Sequence, residues 1–208
     1  MSNILKLFMA YLTLVSGAVM AESSNWNESN VKIGRQSFHI KLPPNESKDF
    51  PTTESLQFVN LTDERLDVGA QSITAIKKYW DFSGGLLQGV QGALNIKVRV
   101  RKVPSSFEGS IFNDADLEML LMERISNSGV DLPSQCVYET INGAKWISYK
   151  LTGNLNSTDY VFPLTENIYI QVQADFITNS KEINPKWLNK AQKMLVDIAS
   201  SMVVVKND

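Results

Sequence analysis

The chain has 208 residues, 43% of them hydrophobic and 20% charged, with 20 basic and 22 acidic side chains, one histidine and one cysteine. This length suits one domain with a sizeable core, and the near-balanced charge gives no electrostatic reason to expect nucleic acid or an anionic membrane as partner. The single cysteine, Cys136, excludes an internal disulfide and, with the single histidine, His39, excludes the usual zinc ligand sets.

Residues 1–21 read as a secretory signal peptide. Lys6 is the only charge before an apolar run from Leu7 to Val15, and the small residues Ser16, Gly17, Ala18 and Ala21 follow. Leu7 to Met20 is fourteen residues, short of the roughly 20 that span a bilayer, and Glu22 rather than cysteine follows the cleavage point. The expected product is therefore an exported protein with neither a membrane anchor nor a lipidation site. Loss of Lys6 leaves 19 basic and 22 acidic residues, a net charge of −3. A cysteine-poor exported chain of this size fits the periplasm of a Gram-negative bacterium better than the disulfide-rich extracellular domains of animals. Four Asn-x-Ser/Thr sequons, at Asn27, Asn45, Asn60 and Asn156, are what chance supplies among seventeen asparagines.

Residues 22–30 read as a mobile lead-in with Trp26 as its only anchor, and 31–208 as the single domain. Phe38, Ile40 and Leu42 alternate with polar neighbours in a strand that Pro43 and Pro44 end. A second strand is expected around Leu56 to Leu61. Ser72 to Phe82 reads as strand from its β-branched and aromatic residues, with helix the competing reading because Ile73, Ile76 and Trp80 also recur at three- and four-residue steps. From Ala93 to Val103 the period of two is unbroken. Leu94, Ile96, Val98 and Val100 fall on one side and Asn95, Lys97, Arg99 and Arg101 on the other, the mark of a strand with one wet face. These two segments form a hairpin at the middle of an antiparallel sheet, with Gly84, Gly85, Gly89 and Gly92 in the connection.

Asn113 or Asp114 can cap a helix whose first turn carries Asp114, Asp116 and Glu118 at the positive end of the dipole. Leu117, Leu120, Leu121 and Ile125 form its apolar stripe, and Gly129 ends it. Cys136 to Ile141 and Ala144 to Leu151 are the arms of a hairpin turned by Asn142-Gly143. Gly153 to Asp159 reads as a polar loop. Tyr160 to Leu164 and Ile168 to Phe176 are further strands, joined tightly at Thr165-Glu166-Asn167. A final helix starts at Asn184 with Pro185 in its first turn and buries Leu188, Ala191, Leu195, Ile198 and Met202, and Val203 to Val205 can add a short strand. The element order predicts an α+β fold, an antiparallel β-sheet covered by two amphipathic helices in an α/β/α sandwich-like arrangement.

The run G-A-K-W-I-S-Y-K-L, then Y-V-F-P-L-T-E-N-I-Y-I-Q-V-Q-A, then the amphipathic helix ending in S-S-M-V-V-V resembles the closing half of the PsbP/Mog1-like α/β/α sandwich domains of small exported bacterial proteins. The resemblance covers roughly residues 136 to 205 and carries no diagnostic motif. It implies a binding or accessory module, as in some immunity proteins against interbacterial toxins that look similar, and no catalytic residues to carry over.

The residues agree with a non-enzymatic role. His39 lies on the polar side of its strand with no partnered nucleophile, no G-x-S-x-G is present, and Cys136 beside Val137 and Tyr138 reads as a small buried apolar residue. Asn154, Asn156, Thr158 and Asp159 imitate the start of a calcium loop but lack the sixth-position glycine, and Thr165 stands where the bidentate glutamate belongs. The glycines around Leu86, Leu87 and Val90 form no phosphate-binding loop, so no cofactor is expected. Those three apolar residues either tuck over the sheet or form, with Tyr79 and Trp80, a partner-binding surface. The function expected is a periplasmic module that binds another envelope or secreted protein, as an inhibitor or immunity factor. The alternative is a periplasmic carrier of a small apolar ligand or lipid in a pocket between helix and sheet.

Intact-mass measurement of the exported protein should give a chain beginning at Glu22, in the soluble periplasmic fraction. A retained leader would refute the signal-peptide assignment.

Overall fold

The computed structural model describes residues 25–44, 46–47, 55–66, 72–85, 88–152, 156–178 and 185–206; residues 1–21, expected to be a signal peptide, and Leu86 and Leu87 lie outside these. In chain order the described elements are β1 (Asn27–Ile33), β2 (Gln36–Leu42), β3 (Phe58–Val59), β4 (Ser72–Gly85), β5 (Gln88–Lys102), α1 (Asp114–Asn127), β6 (Cys136–Ile141), β7 (Ala144–Leu151), β8 (Ser157–Thr165), β9 (Ile168–Thr178), α2 (Pro185–Ser200) and β10 (Val203–Lys206). The class is α+β.

The two strands with the cleanest alternation lie side by side. β5 pairs with β9 from Gly92↔Thr178 to Lys102↔Ile168, which sets Ile96 opposite Ala174, Val98 opposite Val172 and Val100 opposite Ile170. Around this pair the order is β4-β5-β9-β8-β7-β6, antiparallel throughout. The inner face carries Leu94, Ile96, Val98, Val100, Ile170, Val172 and Trp146, all buried. It shares one core with Val31, Ile33, Phe38 and Ile40 of β1 and β2 and with Trp187, Ala191, Leu195 and Ile198 of α2.

Here the structure departs from the single sheet expected. β1 and β2 form a second, four-stranded sheet in the order β10-β2-β1-β3. β10 pairs with β2 through Val203↔His39 to Lys206↔Gln36, and β3 lies parallel to β1 over Lys32↔Phe58 and Ile33↔Val59. Those pairings join segments far apart in sequence, which periodicity does not register.

Several boundaries also move. β1 begins at Asn27, inside the stretch expected to be mobile, because Ser29 and Asn30 find partners in Ile40 and His39. The second strand shrinks to Phe58–Val59. β8 begins at Ser157, since Ser157, Thr158 and Asp159 take up ladder positions opposite Asp175, Ala174 and Gln173. β4 and β5 run into the glycine-rich stretch, with Ser83 opposite Val90 across an irregularity after Phe82.

Local signals agree elsewhere. Asn113 caps α1, its side-chain oxygen accepting from the amides of Ala115 and Asp116, and Gly129 follows the helix with φ +72°. Asn142 and Gly143 both have positive φ, 48° and 79°, as the two-residue turn requires. Asn142 Nδ2 also donates to the carbonyls of Ser200 (2.8 Å) and Met202 (2.9 Å), fastening the hairpin to the end of α2.

Gly92 is needed for packing. A Cβ there would lie 2.6 Å from the Trp187 ring and 2.7 Å from the Ile177 carbonyl oxygen, and that backbone oxygen cannot move aside. In chemical denaturation, Gly92→Ala should lose roughly 1 to 3 kcal/mol through overpacking, and Val98→Ala a comparable roughly 1 to 4 kcal/mol through lost burial and a cavity. A neutral result at Gly92 would mean that Trp187 does not lie across β5.

Candidate functional site

The hairpin tip does not present the aromatic cluster expected of it. Trp80 is 3% exposed and part of the main core, its indole N–H donating to the Pro43 carbonyl at 3.2 Å. Tyr79, on the opposite face of β4, is 7% exposed, with the Lys77 ammonium 5.4 Å from its ring centre. The core therefore takes Trp80 because its side of β4 continues the inner-face row of Ile76 and Phe82. Val90 is on β5 at 39% exposure, and Leu86 and Leu87 fall outside the described residues. Of the five candidates, Val90 is the one among the described residues that offers substantial surface.

A second surface lies at the other end of the sheet. β4 and β6 are its two edges, and they are treated differently. Along β4, Ser47 N–H donates to the Tyr79 carbonyl (2.7 Å), Leu56 N–H to the Ala75 carbonyl (2.8 Å), and Lys78 pairs with Glu46 (2.7 Å). The incoming segment thus occupies backbone groups that a further strand would use. Along β6 the described residues supply no such cover.

The register fixes which β6 groups face outward. In a hairpin closed by a two-residue turn the flanking pair, here Ile141↔Ala144, exchanges hydrogen bonds, and pairs then alternate along the ladder. Glu139 and Val137 bond inward to β7. Cys136, Tyr138 and Thr140 direct N–H and C=O away from the sheet. Apolar side chains flank this edge on both faces, with Val137 46% and Tyr138 37% exposed. Tyr138 is steadied against α1: its hydroxyl donates to the Asp114 carbonyl at 3.0 Å and sits 3.2 Å from Glu118 Oε2, while Lys145, ion-paired with Asp114, lies 4.9 Å over its ring. Phe112, exposed just before α1, lines the same shallow pocket as Asp114, Tyr138 and Lys145. The sequence held a signal for this edge, since adjacent apolar residues at Val137 and Tyr138 break the alternation that a covered strand would keep.

A third feature is polar. α1 packs Leu117, Leu120, Leu121 and Ile125 onto Ile147, Tyr149, Val161 and Tyr169 of the outer face. Towards β4 that face carries a hydrogen-bonded layer. Lys97 Nζ and Asn95 Nδ2 donate to Asp175 Oδ2 at 2.7 and 3.0 Å, Arg99 to Gln173 Oε1 at 2.7 Å, and Arg101 to Gln171 Oε1. Gln171 Nε2 passes the chain on to Asp159 Oδ1 (2.6 Å), whose other oxygen accepts from Ser157 (2.9 Å). Asp159 is wholly buried. Burial pushes its pKa up to about 6, against the lowering effect of the hydrogen bonds from Ser157 and Gln171.

The groups with potential catalytic chemistry stay apart. His39 Nδ1 is 2.9 Å from Glu28 on the second sheet. The Cys136 thiol is half-buried, its pKa pushed up to about 11 by burial and then by the Glu118 charge, so it is no thiolate at neutral pH. Among the described residues no three His, Cys, Asp or Glu side chains gather into a metal-holding group. Between α2 and the sheet lies a cleft of about 460 Å³ whose apolar wall is Leu151, Tyr160, Phe176, Trp187, Leu188 and Leu195.

The raised Asp159 pKa has a definite sign. Between the unfolded value near 3.8 and the folded value of about 6 the native state holds the extra proton, so this contribution is full at low pH and is lost as pH rises through 6. The loss amounts to about 3 kcal/mol at 1.4 kcal/mol per pKa unit. Urea unfolding from pH 4 to 8 should show the wild-type chain losing stability relative to Asp159→Asn as pH rises; a pH-independent difference would place Asp159 in contact with solvent.

Comparison of the chain with protein-family models and with curated protein sequences gives no match.

Proposed function

We propose that the mature chain is a non-enzymatic periplasmic module that binds another envelope or secreted protein by accepting one of its strands on β6. The observation that carries this reading is the contrast between the two sheet edges: β4 is bonded by Glu46, Ser47 and Leu56, and β6 offers outward backbone groups at Cys136, Tyr138 and Thr140. Strand addition takes affinity from the main-chain bonds and specificity from the flanking side chains, here Val137, Tyr138 and, from just before α1, Phe112. An inhibitor or immunity factor needs this kind of footprint, because covering a partner requires surface rather than reactive groups. The likeness to α/β/α sandwich domains of exported bacterial proteins supports the same assignment, with α1 on one face of the large sheet and α2 on the other.

A second reading, a carrier for a small apolar ligand, is favoured by the cleft between α2 and the sheet. Its volume lies within the range of small-molecule sites. Titration of the delipidated protein with a fatty acid should then quench Trp187 emission and lose that response in Leu188→Arg.

Thr140→Pro tests the strand-addition reading. Its lost N–H points away from β7, so the sheet should lose roughly 1 kcal/mol or less. Capture from periplasmic extract by the wild-type chain should yield a partner that Thr140→Pro fails to retain. Equal retention by both would exclude the β6 edge, and a concentration-dependent dimer abolished by Thr140→Pro would identify the added strand as a second copy of this chain.

A further inference from the structure

We propose that the part of the outer sheet face around Arg99 and Arg101 is a binding site for an oxyanion, a carboxylate or phosphate group that both guanidinium groups grip together. The proposal concerns a different surface from the β6 edge and does not depend on it.

Charge is out of balance there. Lys77 stands directly opposite Lys97, and Arg99 and Arg101 follow on the same side of β5, about 7 Å apart as alternate strand residues are. Like charges directly opposite each other destabilise a sheet. Lys97 is neutralised by Asp175. Among the described residues no carboxylate forms an ion pair with Lys77, Arg99 or Arg101. The positions across the ladder are uncharged: Arg99 faces Thr74 on one side and Gln171 on the other, and Arg101 faces Tyr169.

The arginines are nevertheless held in place. Each gives one hydrogen bond to a glutamine carbonyl, Arg99 to Gln173 and Arg101 to Gln171. Gln171 is in turn fixed by Asp159 and lies 3.3 Å from the Tyr149 hydroxyl. A guanidinium has five N–H donors in a rigid fork, so a neutral acceptor that takes one of them orients the group and leaves a fork for a bidentate oxyanion. Both side chains are partly exposed. Burial and then the adjacent Arg101 charge depress the Arg99 pKa, outweighing the opposing effect of the more distant Asp175 and Asp159 carboxylates.

The test uses the mature chain with inorganic phosphate and with citrate, each against sodium chloride of equal ionic strength, read by thermal melting and by titration calorimetry. At least one oxyanion should raise the melting temperature above the chloride control, since a ligand bound only to the folded state stabilises it. Response to both marks a general oxyanion site, to citrate alone a carboxylate site, and to phosphate alone a phosphate site. The double substitution Arg99→Gln/Arg101→Gln should weaken binding by about tenfold or more while melting in chloride at or above the wild type, because it removes repulsion. Arg101→Lys, which keeps the charge and loses the fork, should bind more weakly than wild type. The proposal is overturned if neither oxyanion exceeds the chloride control, if the double variant responds as the wild type does, or if that variant melts well below it in chloride, which would make the arginines structural.

Discussion

The pairing of β5 with β9 is the constraint from which the rest of the structure follows. Eleven residue pairs hold these strands in register, and because side chains alternate, that single register decides the character of both faces of the large sheet. On the inner side it aligns Ile96, Val98 and Val100 with Ala174, Val172 and Ile170 and builds the floor on which the second sheet and α2 rest. On the outer side it brings Asn95 and Lys97 to Asp175 and the two arginines to Gln171 and Gln173. A slip of one residue would bury four polar side chains of β5 and expose its aliphatic row.

The large sheet has two apolar layers of unequal extent. On the inner face the core reaches from β4 to β7, since Phe38 of β2 lies 6.1 Å from Trp146 of β7 and Trp187 of α2 lies 6.3 Å from Phe82 of β4. On the outer face α1, with fourteen residues, covers the side towards β7 and β8. What it leaves towards β4 is polar, so the open surface needs no second helix. The cost is a desolvated Asp159 beneath that layer, tolerated because Ser157 and Gln171 satisfy both of its oxygens.

The two edges of that sheet show how the same backbone can be closed or left available. Residues 46–47 and 55–56 bond to β4 without forming a strand there, which removes the template for further pairing. β6 keeps its template and sets apolar side chains beside it. A protein that needed only to stay monomeric would place lysine or proline on that edge, as Lys206 stands on β10, an edge strand of the smaller sheet.

Much of the secondary structure was legible in the sequence. Alternation determined β5 and β9, Asn142-Gly143 determined the β6–β7 turn, and Asn113 and Gly129 bounded α1, because each of these is a local signal tied to backbone geometry. The exposed side of β5 was legible as wet, though the neutral partners of Arg99 and Arg101 were not, since the glutamines that take their hydrogen bonds arrive from β9. Tertiary structure alone decided that β10 joins β2 to make a second sheet, that Trp80 is core rather than surface, that Gly92 makes room for an indole, and that β6 rather than β4 is the open edge. Those outcomes depend on contacts between residues from 19 to more than 160 positions apart, and no pattern within a single segment encodes which distant segment will cover it.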